Sequence, residues 1–148
     1  MSKISKIKSI SIWIFILPFL SINICLILST QFHQIYSNQE FKLFNSLWPY
    51  VDGGTSISRV ARPFPNWLIF KPAMFLTSFL LIKYWLYNKG IISDFDKNYK
   101  HIKKIVFFGV GSAVALIIHS IFLGIEIDNN LYKLFRRVIM FVFIIFEI

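Results

Sequence analysis

The sequence is poor in what soluble proteins need. Only seven of 148 residues are Asp or Glu, charged residues make up 16%, and there is one cysteine. A soluble domain of this size carries roughly 25% charged residues and about 45–50% apolar ones, whereas this chain is 56% apolar. The single cysteine, Cys25, excludes an internal disulfide and a thiolate metal cluster, and within its apolar run it reads as a small packing residue. The three histidines, His33, His101 and His119, fall in segments too far apart to hold one metal. HExxH, GxSxG, Walker and GxGxxG patterns are all missing, so no cofactor and no metal is expected. The apolar excess excludes disorder.

What is present is oil and positive charge. The 56% apolar share amounts to about 83 residues, close to the roughly 80 that four spans of about 20 residues would use. Sixteen Lys and Arg give a net charge of +9. In a soluble chain that balance would point to nucleic acid. Here the cations flank apolar segments, where they meet headgroups, and nucleic acid is not an expected partner. The expected class is therefore an all-α integral membrane bundle forming one transmembrane domain over residues 1–148.

Span one is expected over about 9–30, after Lys3, Lys6 and Lys8. Its apolar stretch exceeds the 7–15 residues of a signal core and no small-x-small cleavage site follows, so it reads as a retained helix. Span two covers about 67–87, with Trp67 at one end and Tyr84, Trp85 and Tyr87 at the other as interfacial aromatics. Span three covers about 105–125, and its pairs Gly109/Ala113 and Gly111/Ala115 have the spacing that admits a close neighbouring helix. A partial fourth span is expected over about 134–148, too short to cross. That shortness leads to the expectation that the chain is a piece of a longer protein, whose missing C-terminal spans, or an oligomer, would supply further helix contacts.

The lysine-rich start and the stretch Lys97–Lys104 (KNYKHIKK) place the N-terminus and the second connection on the cytoplasmic side. All four arginines, Arg59, Arg62, Arg136 and Arg137, then fall on the outer side, where the topology rule does not ask for them. Residues 31–66 form a long outer connection, with Phe41, Phe44, Trp48 and Val51 at the spacing of an interfacial helix. Asp52, the Gly53–Gly54 turn, Ser58, Arg59 and Arg62 follow, and the arginine forks suit phosphate or carboxylate. Two readings stand: a turn with snorkelling cations, or a headgroup site built from Asp52, Ser58, Arg59, Arg62, Arg136 and Arg137.

A second constellation lies on span three, where Gly109, Ser112, Leu116, His119, Leu123 and Glu126 share one helix face. An ionisable residue inside a span faces the protein interior or a wet cavity. His119 and Glu126 are therefore the candidate proton-transfer pair if the protein is an enzyme, and an interhelical hydrogen bond is the structural alternative. On the fourth helix Arg136, Met140, Phe143 and Glu147 align, with Arg136 and Glu147 too far apart to pair directly.

The order of features is a basic start, a span, and an outer loop ending Ile57-Ser58-Arg59…Pro65…Ile69-Phe70. A span, a basic inner loop and a small-residue span follow, then Leu134-Phe135-Arg136-Arg137 leading into Phe146-Glu147. Taken together it resembles the FRAG/DRAM/SFK superfamily of six-span membrane proteins, which includes GPI-lipid remodelling factors and autophagy modulators. The resemblance implies a polytopic, non-enzymatic membrane protein whose partners are lipids, anionic headgroups included, or another membrane protein. A lipid-modifying intramembrane enzyme using His119 is the second reading. A small channel, transporter or holin-like pore is the third.

Overall fold

The computed structural model describes residues 3–32, 60–95, 101–125 and 129–148. Within them the chain is all-helical: α1 Lys3–Gln31, α2 Asn66–Phe95, α3 Ile102–Phe122 and α4 Asn130–Glu147. Three of these, α1 to α3, are long and apolar enough to cross a membrane, as expected of an integral membrane protein. Each helix packs against the next in sequence, α1 on α2, α2 on α3 and α3 on α4. Lys3 Nζ meets Asp94 Oδ2 at 2.6 Å, which sets the start of α1 beside the end of α2. Both side chains are more than half exposed, so the pair marks antiparallel packing and adds little stability.

Burial is inverted relative to a soluble bundle. Ser21, Ser29, Thr77, Ser78, Ser112 and Ser120 are buried, while Phe15, Phe79, Phe107, Phe141 and Ile145 stand outward, all more than half exposed. In water such an apolar exterior would associate or aggregate; in hydrocarbon it is the favoured surface. Small residues face inward because helix association in lipid depends on close backbone approach. On α1 the buried stripe Ser21–Cys25–Ser29 repeats every four residues. Several buried hydroxyls are satisfied within their own helices, as in Thr77 Oγ1 to Ala73 O, Ser78 Oγ to Met74 O and Ser120 Oγ to Leu116 O, each 2.8 Å.

The small residues of α3 serve two neighbours at once. Gly109 lies against the Trp85 ring of α2, and Gly111 against the Phe146 ring of α4. Gly109, Ser112, Leu116, His119 and Leu123, the face read from the sequence, are all buried. Toward the far end of the bundle from Lys3, an apolar cluster joins Cys25 and Leu26 of α1, Val60 and Ala61, Phe70 and Met74 of α2, and Leu116 and Leu123, with Phe143 of α4 packed against it.

The helices extend past the expected spans except at the end of α3. That helix stops at Phe122, short of the expected 125, because Gly124 turns the chain with φ +87°, a conformation that side-chain-bearing residues resist. Gly124→Ala is expected to cost about 1–2 kcal/mol, measured as a lower midpoint in a denaturant titration of the detergent-solubilised protein; an unchanged midpoint would show that the turn relaxes freely. Helix α4 begins earlier than expected, at Asn130, because Asn129 Oδ1 accepts a hydrogen bond from Leu131 N at 3.0 Å and caps it. Its eighteen residues rise about 27 Å at ~1.5 Å each and carry Lys133, Arg136 and Arg137 in the first half.

Candidate anion site at the arginine end of the bundle

The segment Val60–Pro65, the C-terminus of α3 and the first turns of α4 meet at the end of the bundle opposite Lys3. What fixes the first of these is Asn66, the opening residue of α2, which is fully buried. The two protons of its Nδ2 are shared among Cys25 O (3.2 Å), Ser29 Oγ (2.8 Å) and Val60 O (2.7 Å). Cys25 Sγ returns a contact to Asn66 O at 3.6 Å. One amide thus ties α1, α2 and the segment leading to Arg62.

The last carbonyls of α3 have no helical partners and draw donors from the neighbours. Tyr132 of α4 donates its hydroxyl to Phe122 O at 2.7 Å, and Lys71 of α2 reaches Ile121 O at 3.4 Å while lying 5.4 Å from the Trp67 ring. Lysine and tyrosine here gather at the negative end of a helix dipole. A side-chain carbon at Gly124 would stand 3.4 Å from Arg62 O, and the Arg136 guanidinium stands 6.0 Å from the Tyr132 ring.

These contacts bring Arg62, His119 and Arg136 into one neighbourhood. The charge of Arg136 bears on His119, and that of Arg62 bears on Arg136. His119 is only 9% exposed. Among the described residues, Arg62 Nε, Arg136 Nε and His119 Nδ1 are buried without a hydrogen-bond partner. An unpaired buried donor is costly, and more so when charged. Two guanidinium groups and three unsatisfied nitrogens toward one end of the bundle offer donors that an anion could use: the guanidinium forks suit phosphate or carboxylate oxygens, and the imidazole nitrogen can add a further hydrogen bond.

The sequence-derived site residues divide as follows. Arg62, Arg136 and His119 converge. Arg137 is exposed, unlike Arg136, and is not part of this group. Asp52, Ser58, Arg59 and Glu126 lie outside the described residues, as do His33, the Gly53–Gly54 turn and the interfacial stretch Phe41–Val51. Sequence reasoning missed Asn66, Lys71 and Tyr132 as the residues that build the site. A polar residue between Pro65 and Trp67 reads as an ordinary span border, and only its burial reveals a tether. At mid-bundle, Ser112 Oγ hydrogen-bonds Glu147 Oε1, so Glu147 finds its partner on another helix, as its distance from Arg136 requires.

Among the described residues no group of three or more His, Cys, Asp or Glu side chains is arranged to hold a metal. No protein-family model, curated protein or solved structure matches the chain.

Proposed function

We propose that this chain is a polytopic membrane protein of FRAG/DRAM/SFK type that binds a phosphate-bearing lipid headgroup at its arginine end. The N-terminus and lysine-rich end face the cytoplasm, and the arginine end faces outward. The observation that carries the reading is that Arg62 Nε, Arg136 Nε and His119 Nδ1, on three separate elements toward the same end of the bundle, are buried with no hydrogen-bond partner among the described residues. Lipid is favoured over a soluble anion because these groups sit where α2 begins and α3 ends, at the depth of headgroups rather than beyond them. The four arginines stand where topology gives no reason for cations, which supports a binding role. In this reading His119 positions the anion through a hydrogen bond and carries no chemistry.

The test is binding of dioctanoyl phosphatidic acid to the detergent-solubilised protein, with dioctanoyl phosphatidylcholine as the neutral comparison. Charge-assisted hydrogen bonds contribute about 1.5–3 kcal/mol each. The double variant Arg62→Gln/Arg136→Gln should therefore weaken phosphatidic acid binding by at least roughly tenfold, with Arg137→Gln close to the parent. Equal affinity in the parent and the double variant would remove the proposal.

A further inference from the structure

Helices α3 and α4 do not close against each other along their whole length. Between them runs a groove of about 660 Å³, within the range of roughly 300–1,000 Å³ for small-molecule sites, lined on α3 by Val106, Val110, Val114 and Ile118 and on α4 by Val142 and Phe146. It ends at Lys103 near the start of α3 and Lys89 near the end of α2, the end of the bundle marked by the Lys3–Asp94 pair. Among the described residues, Lys89 and Lys103 are the only charged ones of the lining. Both are exposed, and neither has an ion pair among the described residues. From Lys103 to Ile118 the helix rises about 22 Å at ~1.5 Å per residue, enough for the depth of one leaflet, about half of a ~30 Å hydrocarbon core.

We propose that this groove is a binding site for an anionic phospholipid of the lysine-side leaflet. Its phosphate lies between Lys89 and Lys103, and one acyl chain lies along the valines toward Ile118. The polarity of the groove selects this occupant. A transmembrane helix laid there would need an acidic residue at one end, at the depth of both ammonium groups. A phospholipid carries an anion at one end and hydrocarbon for the rest, in the same order as the lining. The groove opens to the surrounding bilayer, since Phe107 and Val114 on its rim are 68% and 44% exposed. The site is distinct from the arginine site, which lies at the other end of the bundle.

The experiment is native mass spectrometry of the detergent-solubilised chain after equilibration with equal amounts of long-chain phosphatidylglycerol and phosphatidylcholine. It is run in the Arg62→Gln/Arg136→Gln background, so that the outcome is independent of the arginine site. The expected result is one retained phosphatidylglycerol per chain, preferred over phosphatidylcholine by roughly tenfold, as two lysines near an anionic headgroup imply. Adding Lys89→Gln and Lys103→Gln should abolish the preference while a lipid is still retained. Val114→Trp, which fills the groove from its rim, should abolish retention of both lipids. Equal retention of the two lipids before the lysines are changed would overturn the proposal. So would a lipid-free dimer that Val114→Trp dissociates, because the groove would then belong to a second copy of the chain.

Discussion

Asn66→Leu is expected to lower the unfolding free energy by about 2–3 kcal/mol, a large share of the stability of a chain this size. Leucine keeps the forked shape of asparagine but is larger, so the loss combines removal of the amide with some overpacking. The hydrogen bonds from Nδ2 to Cys25 O, Ser29 Oγ and Val60 O would be replaced by a methyl group facing three polar atoms. Interhelical hydrogen bonds in membrane proteins average only about 0.6 kcal/mol, and a single such bond would predict a small effect. Here the two N–H groups of one fully buried amide are shared among three acceptors, and a buried polar group left unsatisfied costs about 1–3 kcal/mol. A denaturant titration in detergent measures the change, and a loss under about 0.5 kcal/mol would mean that the segment has other anchors. The same variant should weaken phosphatidic acid binding, because Asn66 holds Val60 and, two residues on, Arg62.

Gly109→Ile should be the most damaging single change on α3. Even one carbon at this position would come within 2.1–2.3 Å of three Trp85 ring atoms, so α2 and α3 would have to separate or the indole leave its place. Replacing glycine by alanine inside a helix favours folding by about 1 kcal/mol through propensity, and overpacking costs about 1–3 kcal/mol. Gly109→Ala therefore comes out destabilising by about 1 kcal/mol, and the larger, branched isoleucine by 3 kcal/mol or more. Gly111 is the internal comparison. A carbon there meets Phe146 at 2.6 Å, but that ring sits in the last turn of α4 and borders the open groove, into which it can swing. Gly111→Ala is expected near neutral, and if it proved as costly as Gly109→Ala the assignment of the tight seam to α2 and α3 would be wrong. Denaturant titrations of the three variants decide the order.

The buried face of α3 was legible in the sequence as far as Leu123, while Glu126 of the same face lies outside the described residues. Its face Gly109–Ser112–Leu116–His119–Leu123 is the buried one, because a period of three and four residues is a local property of any helix. The small residues were legible as a packing surface, though not which neighbour each would meet. Helix ends were less legible: Gly124 and Asn129 act through one backbone angle and one side-chain hydrogen bond, weak signals beside a long apolar run.

The arginine end of the bundle was half visible. Arg62 and Arg136 stood out because cations at that end conflict with the charge bias of topology. That Arg136 rather than Arg137 turns toward Arg62 follows from a rotation of about 100° per residue on a helix whose packing face only α3 defines. Asn66 carried no signal of its role, since a single asparagine beside Pro65 and Trp67 suits a span border whether it is exposed or buried.

Composition and periodicity by themselves determined that this chain is a set of apolar helices for a hydrocarbon medium, because transfer free energy and helical repeat are summed residue by residue along the chain. The tertiary structure alone decided which polar groups meet. Arg62, His119 and Arg136 are separated by 57 and 17 positions. Their convergence depends on how the Asn66 tether and the glycine seams dock whole helices against one another. Local sequence contains no term for that, because a hydrogen bond or a close packing contact exists only once both of its sides are in place.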